Sequence, residues 1–230
     1  MIGGAAKGEL CLAPLGQQLL FFAGKDQKAT KTAVIGNCGN GPLTIKAATA
    51  DEAYPGVDPD AFQVKSPKAL PAEIEPWGLL ALTVEYTGFV QPNVNGSLNL
   101  TYVGPTTGND ETASFNLLGN SDLEGVELPT ADPGEASDYY GAKAGLSVTL
   151  DGSQSTGGSS KIYDSGFIWF LTGKPSGSKI FPTPAAGGPK YGVVPDVAGD
   201  YEFRLVVFSV SDEQKSYFSD EGVVKVTVQP

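Results

Sequence analysis

Two stretches, Ala144–Trp169 and Pro195–Phe208, constrain the fold of this chain more than any others. In each, apolar and polar residues alternate along a run punctuated by a turn, Asp151-Gly152 in the first and Gly199-Asp200 in the second. Alternation of period two sends successive side chains to opposite faces, so each run reads as a β-strand that buries one face and wets the other. The first stretch ends on an apolar strand in which Trp169 and Phe167 share a face; in the second, Tyr201, Phe203, Leu205 and Val207 do. No long window keeps apolar residues at helical spacing, whereas period-two runs recur about every ten to fifteen residues. With Gly 30 and Pro 17 to make turns, the expected class is all-β.

At 230 residues the chain is long enough for two domains, each with its own core. Apolar residues thin out over Gly119–Asp138, which is rich in Gly, Pro, Asp and Glu. A break near Leu123 gives units 1–122 and 123–230, although Val126–Leu128 could open the second. Strands are expected in the first unit at Gln18–Phe22, Thr30–Gly36, Leu43–Ala47, Phe62–Val64, Leu79–Tyr86, Ser97–Tyr102 and Thr112–Leu118. Leu80, Leu82, Val84 and Tyr86 fall on one face, and so do Leu98, Leu100 and Tyr102. In the second unit strands are expected at Leu146–Leu150, Phe167–Leu171, Lys190–Val194, Tyr201–Val210 and Val223–Val228, with Gly173–Gly188 as an irregular crossover. That strand count suits two tandem immunoglobulin-like β-sandwiches.

The first unit resembles the bacterial domains related to the ASPM–SPD-2–Hydin family, of the kind found in choice-of-anchor surface proteins. The resemblance rests on LLFF, TAVIGNCGNGPLTI, DAFQV, LLALTVEYTG and NGSLNLTY, with Asn37–Leu43 the most telling part. The second unit resembles a PKD domain through LSVTLDGSQS and PDVAGDYEFRLVV, in a variant whose central strand reads FIWFLTGKPSGS instead of a WDFGDG-like stretch. There, Asp196, Gly199 and Tyr201 are similar to a tyrosine corner, in which a Tyr hydroxyl bonds upstream backbone.

The residues exclude more chemistry than they support. There is no His, which removes Ser-His and Cys-His catalysis and His-ligated metals. Net charge is −11 with a single Arg, Arg204, so the clustered cations that nucleic acid or an anionic membrane surface would need are missing. No apolar stretch approaches the ~20 residues that span a bilayer. The first residues lack the apolar core of a signal peptide, and Leu10 stands where a lipoprotein signal would place a small residue. The expectation is that any export signal or anchor lies outside this chain.

Three sets of residues are candidate sites. Cys11 and Cys38 are the only cysteines; paired, they would close a loop of about 26 residues, worth roughly 3 kcal/mol through the unfolded state. The pair suits an oxidising compartment, the alternative being two buried free thiols. Tyr217 and Phe218 sit in the long segment Val210–Gly222, either as a contact loop at one end of the sandwich or as strand residues packed inward. Tyr139-Tyr140 is a second aromatic pair that could serve a carbohydrate. Acidic residues cluster as Asp51, Glu52, Asp58 and Asp60, as Asp132, Glu135 and Asp138, and as Asp151, Asp196 and Asp200. No EF-hand ladder is present, and solvated turn carboxylates are the plainer reading. Because PKD-like modules can hold calcium near the interdomain linker, the resemblance points to Asp132, Asp138 and Asp151 as metal candidates. Asn95 and Asn99 head glycosylation sequons of the sort that arise by chance.

Both resemblances imply modules of larger extracellular or surface proteins. The expected function is a non-catalytic structural or adhesion module of a secreted or cell-surface bacterial protein, contacting protein or carbohydrate or acting as a spacer. No cofactor is expected beyond calcium, and the setting is extracellular, cell-surface or periplasmic. The competing expectations are an accessory substrate-binding module of a secreted hydrolase and an intracellular scaffold.

Overall fold

The computed structural model describes residues 8–13, 18–52, 61–65, 69–88, 93–104, 108–180 and 185–230. Nine strands make two facing sheets in the first part: β1 (Leu10–Ala13), β2 (Gln18–Phe22), β3 (Lys28–Asn37), β4 (Leu43–Glu52), β5 (Phe62–Lys65), β6 (Ala72–Ile74), β7 (Leu79–Thr87), β8 (Asn93–Val103) and β9 (Asp110–Asn120). One sheet runs β1-β3-β7-β5 and the other β2-β9-β8-β4-β6. Every ladder is antiparallel except β2 on β9, which is parallel. Strict alternation in β7 buries Leu80, Leu82, Val84 and Tyr86, which meet Leu98, Leu100 and Phe115 from the other sheet. Asn37 ends β3 by accepting from Glu9 N and Gly39 N through Oδ1 and donating from Nδ2 to the carbonyls of Gly41 and Ile74. Beside it Cys11 and Cys38 form a disulfide, with Cα atoms 5.8 Å apart.

The second set comprises β10 (Val148–Asp151), β11 (Lys161–Gly173), β12 (Ala185–Gly187), β13 (Lys190–Val193), β14 (Gly199–Val210), β15 (Ser216–Phe218) and β16 (Gly222–Val228). Strand β10 pairs β13, while β12-β11-β14 forms the larger sheet, β14 also carrying β15 and β16. Trp169 is fully buried among Leu150, Tyr201, Phe203, Leu205 and Val226. Among the described residues no ladder joins a strand ending by Asn120 to one starting at Val148. The fold is all-β, two tandem immunoglobulin-like sandwiches.

Several boundaries differ from expectation for local reasons. Val126–Leu128 forms no strand; Glu127 exchanges hydrogen bonds with Ser159, and Thr130 makes an isolated bridge to Thr156. Strands β1, β6, β12 and β15 are three or four residues long, too short to show a period. Strand β11 starts six residues before Phe167 because it resumes pairing across an irregularity between Ile162 and Phe167.

The entry to β14 is a tyrosine corner in fact. Tyr201 Oη donates toward Asp196 Oδ1 and Val197 O, both at 3.0 Å, and accepts from Val197 N at 3.3 Å. Burial pushes the Asp196 carboxyl up, but hydrogen bonds from Ser178 Oγ, Lys179 N and Tyr201 Oη outweigh it and hold the group below the usual carboxylate range. Tyr201→Phe is expected to cost about 1–3 kcal/mol by urea unfolding, since the half-buried Val197 N–H loses its acceptor and Asp196 a donor. The Asp196 contribution is present above the unfolded carboxylate value of about 3.9 and is lost as pH falls through the lower folded value. Stability of Asp196→Asn should therefore fall less steeply than wild type in that acid window, read from melting curves at successive pH values.

Candidate functional site at the junction of the two sandwiches

A strand in one wall of a sandwich ordinarily dries one face. In β11 the run Phe167–Leu171 is buried on both. Phe167, Trp169 and Leu171 face the second sandwich's own core, while Ile168 and Phe170 point the other way and are still only 5% exposed. The cover comes from the first sandwich: Val34 of β3 joins Ile168, Phe170 and Val206 in one cluster, with Leu79 and Phe218 packed against it. Continuous apolar sequence with two-sided burial is the pattern of a covered sheet.

Tyr217 and Phe218 belong to this junction and do not form a free contact loop. They lie in β15, paired to β14 through Phe208↔Phe218 and Ser209↔Tyr217, and Tyr217 is 7% exposed. Phe22 of the first sandwich stacks on Phe218 at 6.2 Å and meets the Tyr217 ring edge-on at 5.8 Å. The inward-packed reading is the one the structure adopts, with the neighbouring sandwich as the surface packed against.

The polar half of the junction turns on Glu221. Among the described residues the β1 ladder on β3 runs to Ala13↔Val34, two residues short of Thr32. Glu221 reaches Thr32 from the second sandwich: Oε1 accepts from Thr32 N at 2.5 Å and Oε2 from Thr32 Oγ1 at 2.7 Å. Arg204 Nη1 donates to the same Oε2 at 2.6 Å and Nη2 to Glu202 Oε1 at 3.3 Å. Burial pushes the Glu202 carboxyl up, but Thr172 Oγ1, Arg204 and Lys225 outweigh it and bring it below its ordinary value. Next to Thr32, the Lys31 ammonium is buried; it donates to Ser219 O and lies 3.8 Å from Asp220 Oδ1. Burial lowers its pKa, and the nearby Glu221 and Asp220 only partly restore it. An open cleft of about 420 Å³ lies beside these groups, between β2 and the outer face of β11 and β14.

The other candidates stand apart from the junction. Asp132 Oδ1 accepts from Gly134 N, Asp138 Oδ2 from Glu135 N, and Asp151 Oδ1 from Ser153 N, each closing a local turn. Those Ser153 bonds, with Lys190 Nζ at 3.4 Å, hold the Asp151 carboxyl below its ordinary range against partial burial. Among the described residues no group of three or more His, Cys, Asp or Glu is placed to hold a metal. Asp51 accepts from Asn99 Nδ2, Asp200 from Thr227 Oγ1, and Asp58 and Asp60 fall outside the described residues. Tyr139 is buried and bonded to Pro133 O, whereas Tyr140 is 96% exposed. Among the described residues no helix is long and apolar enough to cross a membrane.

Sequence reading missed the junction, yet two signals for it were present. Lys31 has the parity of Ala29, Ala33 and Ile35, a core-facing position for a lysine. The run FIWFL has no polar residue at the alternate positions a wetted face would require.

No protein-family model matches this sequence, and no curated protein does. Among solved structures the chain is similar to the ASH / PapD-like domain of human CEP192 (PapD-like domain 7), with 16% identity, TM-score 0.37, and 53% of this chain and 89% of that one covered. It is similar to the Pseudomonas aeruginosa CupB2 chaperone at 15% identity and TM-score 0.34, covering 93% of this chain and 98% of that one. A third is the CsuC–CsuE chaperone–tip adhesion subunit pre-assembly complex of Acinetobacter baumannii, at 8% identity and TM-score 0.38, covering 96% and 100%.

Removing the Glu221 carboxylate leaves Thr32 N and Arg204 Nη1 without their acceptor in a desolvated joint and takes a countercharge from beside Lys31. Glu221→Ala is expected to cost about 3–5 kcal/mol, read as an early first transition in a thermal melt. Glu213→Ala, on an exposed side chain of the β14–β15 turn, should stay within about 0.5 kcal/mol. Because folding lowers the Lys31 pKa, the unfolded chain holds that proton more tightly, and stability rises with pH between the lowered value and the ordinary 10.5. Lys31→Met should lose that alkaline gain, measured by denaturant titration at two pH values in the window.

Proposed function

We propose that this chain is a non-catalytic structural module of a secreted or cell-surface bacterial protein, in which an ASPM–SPD-2–Hydin-like sandwich (1–122) and a PKD-like sandwich (123–230) act as one rigid spacer that meets protein neighbours. The observation that carries the reading is the junction. Domains in one chain ordinarily move relative to each other unless the interface between them is substantial. Here a carboxylate of the second sandwich grips Thr32 of a strand in the first, and an aromatic cluster seals the contact beside it. Such a joint resists bending at a cost in desolvation that a flexible linker would avoid.

Other features support the finer parts. The Tyr201 corner and buried Trp169 fit a PKD-like core, and the Asn37 hub fits the NCGNGPL turn of the first resemblance. The Cys11–Cys38 disulfide favours an oxidising compartment over an intracellular scaffold. A chain with no His offers no general base of the usual kind near neutral pH, which supports the non-catalytic reading.

Rotational diffusion tests the spacer directly. ¹⁵N relaxation of the whole chain should give one correlation time for amides of both sandwiches, and Glu221→Ala should split it into two. Independent tumbling of the wild-type sandwiches would sink the reading. Thiol titration under denaturing conditions should find no free thiol before reduction of protein recovered from its native compartment. Two free thiols there would remove the extracytoplasmic setting.

A further inference from the structure

The cleft beside the junction is walled by Leu19 and Leu20 of β2 and by Phe170, Val206 and Phe208 of the facing sheet. Its volume of about 420 Å³ lies within the roughly 300–1,000 Å³ usual for small-molecule sites. Among its described lining residues Lys31 is the one cation. The two charged groups in this wall differ in how far they are satisfied. Both oxygens of Glu221 are engaged, by Thr32 and by Arg204. The Lys31 ammonium has three N–H donors to place and, among the described residues, bonds a single acceptor, Ser219 O. Asp220 Oδ1 at 3.8 Å is beyond hydrogen-bond distance, and its side chain is mostly in solvent.

A buried ammonium with donors to spare, in a mostly apolar wall whose one carboxylate is already bonded at both oxygens, is complementary to an anionic oxygen on an apolar body. A neutral apolar guest would leave those donors unmet, which is costly away from water. A polyanion or sugar would have to desolvate against Leu and Phe side chains. We propose that the cleft binds a medium-chain fatty acid, its carboxylate on Lys31 Nζ and its alkyl chain along Leu19, Leu20, Phe170, Val206 and Phe208. The depressed pKa of Lys31 agrees with this, because an anion brought to it would restore the charged form. The site rests on the rigid junction, since its walls come from both sandwiches.

Decanoate labelled with ¹³C at the carboxyl, titrated into the full chain and followed by NMR and calorimetry, is the test. Saturable one-to-one binding with a shifted carboxyl resonance is expected, with 1-decanol at least about tenfold weaker because it brings no charge to the ammonium. Lys31→Met replaces the ammonium by an apolar group of similar length, and it should weaken decanoate about tenfold or more while leaving 1-decanol within about twofold. Ala186→Trp, on an exposed residue of the cleft rim, should block both ligands with Lys31 intact. If Lys31→Met does not fold, the decanoate-to-decanol ratio in wild type and the Ala186→Trp block decide the matter. Absence of saturable decanoate binding, equal affinity for 1-decanol, or undiminished binding in Ala186→Trp would each overturn the proposal. Relaxation measured on the same sample separates the failures. One correlation time without decanoate binding removes the ligand site alone, and two correlation times remove the junction on which it stands.

Discussion

The carboxylate of Glu221 is the interaction on which the arrangement of the two sandwiches depends. A sheet edge that ends in open backbone is a liability, since unpaired N–H groups invite pairing with other chains. In β3 the N–H of Thr32 is satisfied by a side chain 189 residues further along the chain. One carboxylate oxygen thereby supplies the acceptor that a strand carbonyl supplies elsewhere in a ladder. Oε2 also accepts from Arg204, so the carboxylate cannot leave β3 without giving up a charged partner in the second sandwich as its anchor there.

That polar contact has meaning only with the apolar cluster beside it. Ile168, Phe170 and Val206 are outward-facing residues of a sandwich wall, and left uncovered they would form an exposed apolar patch. Covered by Val34 and Leu79, with Phe22 stacked on the adjoining Phe218, they exclude water from the Thr32–Glu221–Arg204 bonds and strengthen them. Exclusion of water also raises the cost of Lys31. The junction trades one poorly satisfied ammonium for a dry, well-bonded carboxylate.

Much of each sandwich was legible because a strand with one wet face writes its own pattern. Strand β7 reads off its alternation within a residue of its observed ends, and Tyr201 announces its corner through Asp196 and Gly199. Strands β1, β6 and β12, of three or four residues, were not legible, as their existence is decided by the partner and not by their own residues. Nor was the junction, whose parts lie at positions 31–34, 168–170, 204–206 and 217–221. Alternation tells which side of a strand is dry but not what dries it. The aromatic pair Tyr217-Phe218 could be placed in a strand by its residues, while the sandwich it packs against could come only from three dimensions.

Strand β3 explains why the joint can be stiff. At one end, Cys38 is tied to β1 and Asn37 is bonded to four backbone groups around it. Asn37 O also accepts from Trp77 N, which holds Trp77 at φ +63°, a left-handed conformation that a bulky residue adopts only under compulsion. The turn so held delivers Leu79 to the junction cluster. Six residues from Asn37, the same strand presents Lys31 and Thr32 to the second sandwich. A contact at Glu221 therefore acts on a strand already fixed at its far end, so little freedom remains for the two sandwiches to hinge about it.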